Sequence, residues 1–290
     1  MRAVVVGAGA WGTAFAHALR EQGHEVVVAT RTTLGEAPVA AADVVAVAVP
    51  SHAFGDVVAR IGGDAPVLSL AKGLDPSTGQ RLSTLVRDRP VAVLSGPNMA
   101  DEVLAGLPSA TVIASEDDEL AVRLQHAINS LAFRVYVNTD VTGVELCGAA
   151  KNVIALAAGG VDGLKLGDNA KAALITRGLV EMARLGEASG AQPETFAGLA
   201  GMGDLMVTCF HPSGRNRRAG ELIARGATPE AARAEIGQVV EGLTTAPVLR
   251  DLSRRIGIEL PITEAVCAVL EGTSLVSLAE GLMGRRPTEE

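Results

Sequence analysis

Residues 3–12 read Ala3-Val4-Val5-Val6-Gly7-Ala8-Gly9-Ala10-Trp11-Gly12, and how this stretch is read decides the fold. An unbroken apolar run without polar alternation suits a strand buried on both faces of a parallel sheet. The glycines follow as Gly7-x-Gly9-x-x-Gly12, and residues 13–22 carry a helical pattern that stops at Gly23. Strand, glycine turn and helix in that order form the dinucleotide fingerprint. Gly7 permits the tight turn, Gly9 lets backbone approach a pyrophosphate, and Gly12 lets the helix pack close to the strand. The helix N-terminus adds free N–H groups and partial positive charge. Trp11, the single tryptophan, is either a packing residue or one that lies over the cofactor.

Outward from this unit, short apolar runs recur at 26–29, 44–49, 67–71, 91–94, 111–114 and 133–137. Helical or turn-forming segments separate them, which predicts a Rossmann-type doubly wound parallel sheet over residues 1–138. Beyond Asn138 the chain reads as helical, so residues 139–290 form an all-helical second domain in an α/β protein. Thr142-x-x-Glu145 reads as a capping box before a long apolar helix. Further helices are expected at 170–189, 229–236, 244–255 and 262–270, with a frayed tail at 285–290. Residues 32–43 leave little room for a crossover, since one with its helix needs about ten to twelve residues. The sheet is therefore expected to be shortened after its second strand, with residues 26–29 at or near an edge.

Composition narrows the classes. Hydrophobic residues make up 48% of the chain but aromatic ones only 2%, so the core is built from small aliphatic side chains and glycine. That suits helices against a parallel sheet better than a β-sandwich. A formal charge of −8 excludes general attraction to nucleic acid or anionic membrane, so any anion site is a local basic cluster. Cys147, Cys209 and Cys267, odd in number and far apart, read as reduced thiols of a cytoplasmic protein. The first strand begins almost at once, and every apolar stretch is broken by Gly, Pro or charge, so neither leader nor membrane insertion is expected. No metal is called for.

Several loops carry chemistry. Thr30-Arg31-Thr32-Thr33 follows the second strand, where an NAD site usually has an acid for the ribose 2′-hydroxyl; Arg31 instead suits the 2′-phosphate of NADP. NADP is thus the expected cofactor, with NAD possible. Lys72 and the segment Ser95-Gly96-Pro97-Asn98-Met99-Ala100 follow strand ends, where parallel sheets place ligands. Taken singly, each reads equally well as a solvated loop. Lys151 shares a helical stripe with Val144, Cys147, Ile154, Ala155 and Ala158. It is either a snorkelling lysine or a desolvated proton donor. Asp204 in Gly203-Asp204-Leu205 could orient a lysine or a substrate hydroxyl, or cap a turn. Gly214-Arg215-Asn216-Arg217-Arg218 suits a phosphate, or forms an exposed basic patch.

Together these segments resemble the bacterial-type NAD(P)-dependent sn-glycerol-3-phosphate dehydrogenase family over nearly the whole chain. The resemblance rests on Gly7-Ala8-Gly9-Ala10-Trp11-Gly12-Thr13-Ala14, Val49-Pro50-Ser51-His52, Lys72-Gly73-Leu74 and Ser95-Gly96-Pro97. It continues through Lys151-Asn152-Val153, Thr176-Arg177-Gly178-Leu179, Gly203-Asp204-Leu205, Arg215-Asn216-Arg217-Arg218 and Val240-Glu241-Gly242. It implies Lys151 as catalytic proton donor and acceptor, with Lys72 and Asp204 beside it. Lys72, Gly96, Asn98, Asp204, Gly214, Arg215 and Asn216 would line the substrate. The cofactor would meet Ala10, Trp11, Arg31, Lys72, Ala100, Arg215, Val239 and Glu241. The implied reaction is hydride exchange between nicotinamide C4 and C2 of dihydroxyacetone phosphate or glycerol 3-phosphate, in a homodimer that supplies phospholipid synthesis. Asn98 and Gly214 depart from the family's usual Thr or Ser and Ser. The alternatives are a related two-domain reductase, such as a β-hydroxyacid or ketopantoate reductase, and a catalytically idle NADP-binding sensor.

Overall fold

The structure, a computed structural model, describes residues 1–275. β1 (Arg2–Val6) leads through Gly7 and Gly9 into α1 (Ala10–Glu21). Gly7 has φ +122°, and a Cβ there would collide with the Ala48 carbonyl oxygen; one at Gly12 would collide with the carbonyl of Gly7. Close backbone packing therefore excludes side chains at both positions. Gly9 is different, since a Cβ there would meet nothing within 4 Å.

The remaining strands are β2 (Glu25–Ala29), β3 (Val44–Val47), β4 (Val67–Ser69), β5 (Val91–Ser95), β6 (Ser109–Ser115) and β7 (Phe133–Asn138). They form one sheet in the order β2-β1-β3-β4-β5-β6-β7. Val4 lies opposite Val27 on one side and Val45 on the other, so β1 is an inner strand whose two faces are left to the helices to cover. As expected, β2 is an edge. Only two single 3-10 turns, Leu34–Glu36 and Val39–Ala41, lie between β2 and β3. Their buried Leu34 and Val39 join Phe54 and Val57 of α2 (Ser51–Val58) on one sheet face. Phe15 and Leu19 of α1 and Leu124 and Ile128 of α4 (Asp118–Ile128) cover the other.

One pairing departs from the wholly parallel expectation: β5 and β6 are antiparallel, with Val93 opposite Ala114. The segment between them contains only α3 (Ala100–Leu104). Its five residues span roughly 7 Å, too little to carry the chain back along a strand of roughly 23 Å. The chain turns at Gly96 and runs back beside β5 instead.

The helical half comprises α5 (Val141–Gly163), α6 (Asp168–Ala188), α7 (Pro193–Ala197), α8 (Asp204–Phe210), α9 (Arg215–Ala224), α10 (Pro229–Ile236), α11 (Glu241–Ile256) and α12 (Pro261–Leu270). The expected helices correspond to α6, α10, α11 and α12, with ends moved by up to three residues; the tail at 285–290 lies outside the described residues. α5 is long and apolar enough to cross a membrane, but 83% of its most apolar window is buried inside the protein. It is the core element of this half. Val144, Ile154 and Ala158 pack with Met182, Leu205, Ala219, Leu249 and Val266, and the same cluster reaches Val93 and Val112 of the sheet.

The capping box expected at Thr142 and Glu145 does not form. Asp140 caps α5 instead, its Oδ1 accepting from Gly143 N at 2.8 Å, while Oδ2 accepts from Gln192 N and Thr195 Oγ1. Thr142 falls inside the helix, because an aspartate two residues earlier supplies the cap. Glu145 is buried and accepts from Ser83 N, Ser83 Oγ and Arg81 Nη1, tying α5 to the sheet half. Burial pushes its carboxyl up, and the Ser83 and Arg81 donors oppose that shift.

α5 and α9 touch backbone to backbone. A Cβ at Gly159 would collide with the Arg217 carbonyl oxygen, and one at Gly220 with that of Leu156. Overpacking a close contact costs about 1–3 kcal/mol, so Gly159→Ala is expected to destabilise the protein by about that much. A lowered urea midpoint at unchanged m-value checks this; an unchanged midpoint would show that the helices have slack.

Candidate active site

The carboxyl ends of β4 and β5 deliver Lys72 and Gly96 to the face that α5 covers. From the opposite side, a π-helical turn, Leu199–Gly203, feeds α8, whose first residue is Asp204. Gly201 permits that turn, since a Cβ there would collide with the Phe196 carbonyl. These elements bring three charges together. Lys151 Nζ donates to Asp204 Oδ1 at 2.5 Å, and Lys72 Nζ donates to Asp204 Oδ2 at 2.6 Å. Lys72 also donates to the Gly96 carbonyl at 3.0 Å. Lys151 is only 5% exposed and Asp204 1%, so the ammonium of Lys151 does not snorkel to water. It is buried and paired.

Thr208, one helical turn beyond Asp204, completes the first ring of contacts. Its hydroxyl donates to the Asp204 carbonyl at 2.6 Å and accepts from Lys151 Nζ at 2.8 Å. The sequence reading missed Thr208, although i to i+4 spacing on one helix places it beside Asp204. It also assigned no role to Ser95, whose hydroxyl lies 3.4 Å from Asp204 Oδ2.

Electrostatics follow from two amines sharing one carboxylate away from water. Burial lowers the Lys151 pKa to about 7, opposed by the Asp204 charge and assisted by that of Lys72. Burial alone would raise Asp204, but the two ammonium groups outweigh it and hold the carboxyl below its usual range. Burial also pushes the Cys209 thiol up to about 12 and Cys147 well above its usual value. Both sulfurs are therefore inert neighbours and not nucleophiles.

A second layer is built of amides. Asn216 Oδ1 accepts from Gly242 N at 2.8 Å, and its Nδ2 donates to Asn152 Oδ1 at 2.8 Å. Asn152 Nδ2 in turn donates to the carbonyls of Lys72 and Gly148. Asn216 thus joins the Lys72 loop through Asn152, a residue the sequence reading passed over. Arg215 is exposed at the start of α9, its Nη1 donating to the Val239 carbonyl at 2.9 Å, and Gly214 caps that helix without a side chain. Asn98 is largely engaged elsewhere. Its amide donates to the Ala110 carbonyl and accepts from Thr111 Oγ1, which ties it to β6.

The glycine turn fits a dinucleotide. Gly9 is open, α1 has no side-chain cap and no acid in its first turn, and the Trp11 indole nitrogen is buried without a partner. Arg31 is exposed after β2, three strands along the carboxyl edge from β4 and roughly 14 Å away. An extended cofactor would lie along that edge. Beside Arg31, the Thr30 hydroxyl bonds those of Thr32 and Thr33. Ala100 opens α3, and Glu241 accepts from the backbone and hydroxyl of Ser51.

The description "NAD-dependent glycerol-3-phosphate dehydrogenase N-terminus" matches residues 29–121, and its C-terminal counterpart matches residues 140–279. A glycerol-3-phosphate dehydrogenase, NAD(P)+, of Klebsiella pneumoniae is 42% identical, covering 99% of this chain and 96% of its own length. The chain belongs to the NAD-dependent glycerol-3-phosphate dehydrogenase family. One of Enterobacter is 43% identical over the same shares. The crystal structure of glycerol-3-phosphate dehydrogenase from Coxiella burnetii has a TM-score of 0.92 at 35% identity, covering 98% of this chain and 99% of that one. The Klebsiella alignment runs over 327 positions against 290 residues here, so this glycerol-3-phosphate dehydrogenase lacks stretches that its relative has.

The shared carboxylate generates a pH prediction. With Lys151 as the proton donor proposed below, kcat/KM for reduction should fall as pH rises through about 7. Asp204→Asn removes the charge that favours the ammonium, and the falling limb should move to lower pH. A limb that stays in place in a rate–pH profile would show that Asp204 does not set the Lys151 proton.

Proposed function

We propose that this glycerol-3-phosphate dehydrogenase exchanges hydride between NAD(P)H and C2 of dihydroxyacetone phosphate or sn-glycerol 3-phosphate, with Lys151 as the proton donor and acceptor. The observation that carries this reading is the buried Lys151–Asp204 pair, with the partly buried Lys72 on the same carboxylate, at the carboxyl edge of the sheet. The bound nicotinamide supplies or accepts the hydride. In reduction, Lys151 gives its proton to the C2 oxygen as negative charge develops there, and becomes a neutral amine. In oxidation, the neutral amine takes that proton back. A pKa of about 7 lets one group serve in both directions.

Asp204 holds both amines, so that Lys151 meets the substrate in one orientation, and Thr208 fixes a second of its N–H directions. Lys72 adds a positive charge beside the developing alkoxide. The phosphate is assigned to Arg215 and Asn216 at the start of α9, where a guanidinium and helix N–H groups favour an anion. Gly96, Asn98 and Gly214 complete the substrate wall. The turn shaped by Gly7 and Gly12 presents Gly9 to the pyrophosphate, with Ala10, Trp11, Ala100, Val239 and Glu241 beside the cofactor. Arg31 favours NADP over NAD.

The chain is divided into a dinucleotide-binding domain, residues 1–138, and a helical substrate domain, residues 139–290. Support comes from β7 ending at Asn138 and α5 beginning at Val141. The family resemblance supports a cytoplasmic homodimer that supplies glycerol 3-phosphate for phospholipids; three free buried cysteines agree with a reducing compartment. An idle sensor would have no use for a buried lysine held on a shared carboxylate.

NADPH oxidation by the purified protein should require dihydroxyacetone phosphate and fail with unphosphorylated or carboxylate substrates. Lys151→Ala should lower turnover roughly a hundredfold or more and leave NADPH binding nearly unchanged; near-normal turnover would remove Lys151 from its role.

Cofactor choice is tested separately. NADPH should bind tighter than NADH by about ten- to a hundredfold, the worth of one charge-assisted contact. Arg31→Asp should abolish or reverse that order, and equal affinities in the unmodified protein would refute it.

A further inference from the structure

We propose that Glu241 is a positioning residue that holds the Lys72 loop in place through Ser51, from across the boundary between the two halves of the molecule. α2 follows Pro50 with no side-chain cap of its own and no acidic residue in its first turn. Glu241, 190 residues further on, supplies the cap. Its Oε1 accepts from Ser51 N at 3.1 Å and its Oε2 from Ser51 Oγ at 2.8 Å. A carboxylate at a helix N-terminus is favoured by the helix dipole and by charge-assisted hydrogen bonds.

The capped Ser51 is the surface on which the loop rests. A Cβ at Gly73 would stand 2.8 Å from Ser51 Cβ and 3.4 Å from Glu241 Oε2, so the backbone beside Lys72 lies directly against both residues. On its other side the Lys72 carbonyl accepts from Asn152 Nδ2 at 3.3 Å. The residue after Glu241 closes a ring: Gly242 N donates to Asn216, and Asn216 donates to Asn152. Gly242 has no room for a side chain, its Cβ position lying 2.6 Å from the Asn152 carbonyl oxygen. The ring fixes the backbone from which Lys72 reaches Asp204. Freeing Ser51 from Glu241 lets that backbone shift, and the 2.6 Å contact of Lys72 with Asp204 loosens. This role is separate from any contact of Glu241 with the cofactor, since it acts through Ser51 on the Lys72 loop.

The inference rests on Lys72 acting in the site, and the test separates the two ideas. Ser51→Ala, Glu241→Ala, Glu241→Gln, their double variant Ser51→Ala with Glu241→Ala, and Lys72→Ala are compared by steady-state kinetics, rate–pH profiles and NADPH titration. Ser51→Ala should lower kcat/KM about tenfold or more, the scale of one lost charge-assisted hydrogen bond, with the NADPH dissociation constant unchanged. Glu241→Gln keeps one acceptor oxygen and should fall between Glu241→Ala and the unmodified enzyme. The double variant should be no worse than Glu241→Ala, since both changes remove the same link. In Ser51→Ala the falling limb for reduction should also move to higher pH, because a displaced Lys72 no longer pushes the proton off Lys151. A general loss of stability would not move that limb. Additive effects, a Ser51→Ala enzyme with normal kcat/KM and an unmoved limb, or a Glu241→Ala enzyme changed only in NADPH affinity would each overturn the positioning role. Normal activity in Lys72→Ala would instead overturn the reading of the site, and the positioning role with it.

Discussion

The rest of the structure is arranged around one demand: an ammonium group held inside an apolar helix bundle. Lys151 lies midway along α5, whose neighbours are alanine, glycine and aliphatic residues. Removing such a charge from water costs several kcal/mol unless a counter-charge and hydrogen bonds meet it there. Asp204 supplies the counter-charge, Thr208 another acceptor, and Lys72 shares the same carboxylate from the sheet side. None of the three could reach Lys151 unless α5 packed over the strand ends and α8 began where it does. The fold is thus built to bring a carboxylate to a lysine that would otherwise lose its charge.

With few aromatic side chains, the molecule joins its parts differently from a core of large interlocking rings. Its helices meet through glycines at backbone distance, as α5 and α9 do at Gly159 and Gly220. Its joints are fixed by carboxylates that accept the N–H groups at the start of another segment. Asp140 takes Gln192 N, Glu145 takes Ser83 N, Glu181 takes Ile262 N and Thr263 N, and Glu241 takes Ser51 N. Each bond satisfies donors that a helix or turn cannot satisfy within itself. Such joints have directions as well as strength, so they set angles between elements that apolar packing alone would leave loose.

What could be read from the chain was whatever depends on local pattern. The apolar runs located every strand: the inner ones, buried on both faces, have no alternation to hide, and the edge strands β2 and β7 kept enough valine to stand out. The length of residues 32–43 foretold β2 as an edge. Lys151 stood out because a charge on an apolar stripe is improbable without a function. What escaped depends on distant partners. The antiparallel β5–β6 pair follows from the short α3, and the true cap of α5 from the competition between Asp140 and Thr142. The ties of Asn98 to β6, and of Asn216 to Asn152 and Gly242, also depend on residues far away in the chain. Thr208 needed the start of α8 to be known before its spacing from Asp204 had meaning.

The narrow end of the sheet bears on how this enzyme can be altered. Between β2 and β3 the chain anchors itself to the core chiefly through Leu34 and Val39, while Arg31 and its neighbouring threonines stand exposed beyond them. On the proposed reading, selection of the adenosine end of the cofactor is carried by a short surface module with two apolar plugs. Lys151 and Asp204 stand on α5 and α8, whose apolar residues form a different cluster. On that reading, an exchange of residues 30–43 that keeps the two plugs leaves the surroundings of Lys151 untouched, and cofactor preference and proton handling are independently replaceable parts of one chain.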